Sequence, residues 1–147
     1  MSAALSLPFE DAPTEPADAP PVALLRGALA LISGTATYDV VFALAASDAT
    51  GGRRAATDPL AVRFGFIGAL DGAAVRAGIK LESPEFAQAQ IALCRALGVE
   101  PAKGAIPDLV LDGAGTAWYH AHGRNWPSTR QARELLTAAI EIARRTA

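Results

Sequence analysis

The sequence is poor in the groups that most often announce chemistry. Cys94 is its one cysteine, so no internal disulfide forms and no cysteine-based metal cluster is built. Cys94 falls in an apolar helical stripe, where a free cysteine behaves as a small buried hydrophobe rather than a nucleophile. Basic charge is absent from the first twenty residues, which hold Glu10, Asp11, Glu15 and Asp18. The remainder carries thirteen basic residues against eleven acidic ones (fifteen less those four). That excess of two is not the clustered basic face of a nucleic-acid binder, and the aromatic motifs of RNA modules are missing. Direct contact with nucleic acid is therefore not expected. No stretch approaches the roughly 20 apolar residues of a membrane span without glycine or charge. Nor does a basic region followed by an apolar run mark a signal peptide, so the expectation is a cytoplasmic chain that makes no membrane contact. The GxSxG elbow and the HExxH helix are absent, and there are no internal repeats.

What is present reads as one domain. A chain of 147 residues, 51% hydrophobic, fits a single modest core. Residues 1–20 read as a disordered acidic tail, broken by Pro8, Pro13, Pro16 and Pro20. Residues 21–147 read as a single helical domain, mainly α: a bundle of about four helices with room for one short β-hairpin. The first helix starts at Pro21, carries a stripe of Val22, Leu25, Ala28, Leu29 and Ile32, and stops at Gly34. Tyr38, Val40, Phe42 and Leu44 alternate with smaller residues. They suit a short strand, although the run from Val40 to Ala46 also suits a buried helical turn. DATGG at 48–52 is a turn in either case, which leaves Arg53 and Arg54 exposed on a loop.

The stretch 58–78, DPLAVRFGFIGALDGAAVRAG, reads as the central helix around which the rest packs. Asp58 caps it, Pro59 opens it and Gly78 ends it. It is apolar or small nearly all round, the mark of an interior helix. Gly65, Gly68 and Gly72 each cost about 1 kcal/mol against alanine in a helix. Close approach of another backbone is the expected offset. Ser83 and Pro84 open a further helix that ends at Gly98. Ser128 and Gln131 have capping-box spacing and begin the last helix, whose core stripe is Ala132, Leu135, Leu136, Ala139, Ile140 and Ala143. Glu141 and Arg145 are spaced there for an i,i+4 pair.

Residues 100–127, punctured by glycine and proline, read as an irregular loop holding the rarest side chains. Trp118, Tyr119, Arg124 and Trp126 make either an aromatic lid on the helices or a partner-binding patch of the aromatic-plus-arginine kind. His120 and His122, two apart, would point the same way in an extended loop, with Asp112 as a third ligand; this is the conceivable metal site. It lacks the helical histidine spacing and any cysteine, so no metal or other cofactor is assigned. Asp108 and Asp112 read as turn residues rather than a catalytic pair.

Two stretches carry resemblances. ALAASDATGGR at 43–53 followed by DPLAVRFGFIGALDGAA at 58–74 resembles the core of a family of small uncharacterised proteins of bacteria and their phages. In that family a turn precedes a helix running from Asp-Pro into Gly-Ala-Leu, and the chain closes with a tryptophan loop and a short amphipathic helix. Trp118 and the helix from Ser128 answer to that ending. The family has no established activity, so the resemblance implies fold and provenance and no reaction. ALSLPF at 4–9 is similar to the peptide by which bacterial proteins dock on the DNA sliding clamp. Leu5, Leu7 and Phe9 stand as its apolar anchors and Ala4 in place of its glutamine.

The function expected is a small interaction or regulatory protein, leaning away from catalysis and associated with a mobile element or phage. Its partner is an unknown protein, the sliding clamp being the first candidate, held by Leu5, Leu7, Phe9, Trp118, Tyr119, Arg124 and Trp126. The alternatives are a small enzyme or metal-binding domain using His120 and His122, and a DNA-replication accessory docking through the tail.

Overall fold

Five helices and one three-stranded antiparallel sheet make up the computed structural model, which describes residues 18–34 and 36–146. Residues 1–17 of the tail, with Leu5, Leu7 and Phe9, lie outside the described residues; Pro20, read as part of the tail, instead opens the first helix. Helix α1 (Pro20–Leu31) carries proline in its first turn and buries Val22, Leu24, Leu25 and Ala28. Three two-residue strands follow: β1 (Ala46–Ser47), β2 (Arg53–Arg54) and β3 (Arg63–Phe64). Four more helices complete the domain: α2 (Gly68–Ala77), α3 (Pro84–Ala96), α4 (Pro107–Ala121) and α5 (Thr129–Arg145). Helix α1 is the hub, packing on α2, α3 and α5, while α3 also packs on α4 and α5.

Local signals explain the well-capped helices. Ser83 Oγ accepts from the Phe86 N–H at 3.2 Å and opens α3. Ser128 and Gln131 form both halves of the capping box that opens α5. Ala132, Leu136, Ala139, Ile140 and Ala143 of α5 are buried, and Leu135 is packed against the same core. The C-terminal ion pair differs from the spacing argument: Glu141 receives Arg144, at i,i+3, rather than Arg145.

The segment 58–78 is not one helix. Asp58 does not cap a helix; its Oδ1 accepts from the Leu60 N–H at 2.8 Å and closes a tight turn. The chain then runs extended through β3, and only residues from Gly68 onward are helical, ending at the left-handed Gly78. The apolar positions of 61–67 fit a short strand as well as they fit a helix, and pairing with β1 decides the matter. Val62 is exposed and Phe64 buried, so the segment is buried only in part. Strand order is β2-β1-β3, with Ala46 opposite both Arg54 and Phe64. Tyr38 bridges the outer side of Phe64, so the alternating stretch before β1 is neither a long strand nor a helix.

Two of the glycines have the expected reason, against a different neighbour. A Cβ on Gly65 would collide with the Phe42 carbonyl oxygen, and one on Gly68 with that of Ala45. Residues 42–45 cross directly over the β3–α2 junction. The Gly65 N–H donates to the Ala45 carbonyl at 3.0 Å and the Ile67 N–H to that of Ala43 at 2.8 Å. The close approach is therefore backbone on backbone at a strand-to-helix corner.

The DATGG turn is as read, and Asp48 organises it. Its carboxylate accepts from the Thr50 hydroxyl, the Thr50 and Gly52 N–H groups and the Arg54 guanidinium. Those donors hold the Asp48 carboxyl far below the usual carboxylate range. Arg54 is not a free loop residue: it pairs with Asp48 at 2.9 Å and Asp58 at 3.4 Å.

The largest difference concerns residues 100–127. Residues 107–121 form a helix of 15 residues, α4, started by Pro107 with Asp108 in its first turn. Leu111, Ala114 and Gly115 are its buried positions. Burial against the domain offsets the low helix propensity of Gly113 and Gly115. The fifth helix is this one.

Candidate functional site

The side chains read as an aromatic loop sit at the end of α4 and just beyond it. Trp118 and His122 stack, with ring centroids 3.5 Å apart and planes 9° from parallel. His122 Nδ1 lies 2.8 Å from the Trp118 carbonyl oxygen. Tyr119 meets His120 edge-on at 5.3 Å and Trp126 at 4.7 Å. The chain leaves the helix through Gly123 and Arg124, both at positive φ, and the Arg124 N–H returns to the Tyr119 carbonyl. The Asn125 side-chain amide donates to the His122 and Gly123 carbonyls. The Tyr38 hydroxyl donates to the carbonyl of the buried Pro127, and burial, then the nearby Asp39 charge, raises that phenol well above its ordinary value. The aromatics thus pack on one another around a helix terminus, with Trp118, Tyr119 and Trp126 half-buried and Arg124 exposed.

This geometry separates the proposed metal ligands. Side chains two apart at a helix end are rotated by about 200° from one another, so His120 and His122 do not share a face as they would in an extended loop. Asp112 is two turns away on α4. Among the described residues no group of three His, Cys, Asp or Glu side chains is placed to hold a metal ion. Cys94 is fully buried in α3, and burial pushes its thiol up to about 11, so it carries no thiolate at neutral pH.

Two other surfaces emerge that sequence reasoning did not single out. The first lies on the sheet segment. Val40, Val41, Leu44, Leu60 and Val62 are 43–68% exposed, five large aliphatic residues in one short stretch of chain. Val40 and Val41 line a hollow of about 400 Å³ with Tyr38, Asp39, Phe42 and Arg63. Asp39 holds this rim in shape by accepting the Val41 and Phe42 N–H groups at 2.8 and 2.9 Å. Of the alternating residues noted in the sequence, Val40 and Leu44 are exposed while Tyr38 is buried; Val41, Leu60 and Val62 carried no such signal.

The second is an acidic cleft where α2, α3 and α4 meet. Asp71, Leu81, Glu82, Phe86, Gln90 and Asp108 line about 330 Å³. Asp112 follows Asp108 by one helical turn. Burial, and then the charges of Asp108 and Asp112, push the Asp71 carboxyl up to about 6. Asp112 is also raised, by burial and by Asp108.

No described helix is long and apolar enough to cross a membrane. Compared with family models, curated proteins and solved structures, the chain matches none.

Proposed function

We propose that the protein is a small non-catalytic interaction module, and that its main contact surface is the aliphatic patch on the sheet segment. The observation that carries this is that Val40, Val41, Leu44, Leu60 and Val62 are all exposed within the sheet segment, with Val40 and Val41 on the rim of one hollow. Single exposed aliphatics are ordinary on a protein surface, whereas a cluster rimmed by polar groups marks a contact site. The patch stands on stiff supports: the Asp48 turn, the Asp39 cap and the glycine corner under residues 42–45. A pre-organised surface loses little entropy on binding.

The aromatic group with Arg124 is a secondary contact in this reading, since half-buried tryptophan and tyrosine beside arginine suit partner recognition. The resemblance of residues 43–74 to small bacterial and phage proteins supports a mobile-element setting. The similarity of ALSLPF to a clamp-binding peptide supports the sliding clamp as the first partner to try.

Val41→Asp with Leu60→Asp tests the reading. Both positions are exposed, so the melting temperature should hold while capture of a protein partner from native extract is lost. Capture that survives both substitutions refutes the patch as the contact surface.

A further inference from the structure

Six of the twelve acidic residues in the described chain are paired with an arginine: Asp18, Asp48, Asp58, Glu100, Glu134 and Glu141. The four around the α2–α3–α4 cleft, Asp71, Glu82, Asp108 and Asp112, have no ion pair among the described residues. Lys80, the basic residue closest to Glu82 in the chain, is exposed and also makes none. Gln90, 4% exposed, lines the same cleft. Its Nε2 donates to Asp108 Oδ1 at 3.0 Å, and its carbonyl oxygen accepts from no donor among the described residues. A buried amide oxygen without a donor is costly, and here it stands beside carboxylates without a cation. Every unpartnered side-chain polar atom lining the cleft is therefore an acceptor.

Apolar surface completes the shape. Leu81 and Phe86 form part of the wall. Leu109, 63% exposed, and the exposed Ile106 flank Asp108 in the chain. About 330 Å³ holds one long side chain and not a folded element.

We propose that this cleft docks a basic protein segment by taking one arginine side chain. The guanidinium lies between Asp71 and Asp108 and donates to Gln90 Oε1, and the stem lies on Leu81 and Phe86. Arginine fits better than lysine because its planar fork offers five donors to several acceptors at once. Apolar residues next to that arginine rest on Leu109 and Ile106. Charge selects the occupant. Residues 1–20 of this chain contain no basic residue and are repelled, as is a nucleic-acid phosphate. The inference builds on the reading as an interaction module but concerns a different face, so the two fail separately.

The test titrates the full chain into two fluorescently labelled peptides of about ten residues, one alternating leucine with arginine and the other leucine with glutamate, followed by anisotropy. The arginine peptide should saturate and weaken as salt rises, and the glutamate peptide should not bind. Asp71→Asn and Asp108→Asn should each weaken the arginine peptide at least about tenfold; the amide introduced by Asp108→Asn keeps an oxygen for the Gln90 donor. Glu134→Gln, on α5, should change nothing. Asp71→Asn should melt at or above the parent temperature, which separates lost binding from lost fold, and Asp108→Asn should still unfold in one cooperative transition. Equal binding by the parent and both amide variants overturns the proposal, as does equal binding of the two peptides. Stoichiometric Ca²⁺ uptake that Asp71→Asn abolishes overturns it in favour of a metal site. A dimer that Asp71→Asn dissolves overturns it in favour of a second copy, whose α5 carries Arg130, Arg133, Arg144 and Arg145.

Discussion

Asp71→Asn should make the protein more stable at pH 7. The Asp71 carboxyl is raised from 3.8 to about 6 in the folded chain, chiefly by burial and then by Asp108 and Asp112. The folded state therefore holds this proton more tightly than the unfolded state does. With respect to Asp71, stability is full below about pH 4 and is lost as pH rises through 6. The difference of about two units corresponds to about 3 kcal/mol at pH 7. One effect opposes it: a carboxylate in the first turn of a helix, where Asp71 sits in α2, gains about 0.3–1 kcal/mol from the helix dipole. Burial wins, leaving about 2 kcal/mol for an uncharged amide to recover. At about 2–4 °C per kcal/mol in a domain of this size, that is a rise of about 4–8 °C. The assay is parallel thermal and urea unfolding of parent and variant from pH 4 to 8. The gap should open between pH 4 and 6 and stay open above. Groups such as Asp48 and Glu100, whose lowered pKa values make the whole protein lose stability as pH falls, are common to both proteins and cancel. A variant less stable than the parent at pH 7 would show that the Asp71 carboxylate makes a stabilising contact, and would refute the reasoning.

Three further outcomes follow from the backbone. Gly68→Ala should destabilise by about 3 kcal/mol, at the upper end of overpacking costs, because its Cβ collides with the Ala45 carbonyl oxygen; an unchanged urea midpoint contradicts this. Gly113→Ala should stabilise by about 0.5–1 kcal/mol, since a Cβ there meets nothing within 4 Å on a helical position. A loss of stability would argue against α4 being helical at that point. Ser128→Ala removes the oxygen that caps α5 and should cost about 1 kcal/mol, read as a lower midpoint with an unchanged m-value.

Much of the fold was legible wherever the signal was local. Ser83-Pro84 and the Ser128–Gln131 box mark helix starts through bonds made within three residues, and DATGG forms its turn through Asp48 alone. The segment 58–67 misled because Asp58-Pro59 serves a turn as well as a helix start, and because a strand as short as Arg63–Phe64 shows no periodicity of its own. Helix α4 was hidden by Gly113 and Gly115, whose cost only tertiary burial reveals. Pro107 followed by Asp108, with no further proline until Pro127, was the signal that could have found it. The histidine pair changed meaning with that helix, as did the reading of Asp108 and Asp112 as turn residues. The acidic cleft was out of reach of local reading: Asp71, Gln90 and Asp108 come from three helices, and only their packing brings a buried amide oxygen beside carboxylates that have no cation.

The claim that the sheet segment is a contact surface is tested most directly by amide hydrogen exchange of the full chain, alone and with its captured partner. The account predicts slowed exchange across residues 39–64, centred on Val41 and Leu60, with the buried helices α1 and α3 unchanged. A footprint that leaves 39–64 untouched would contradict it.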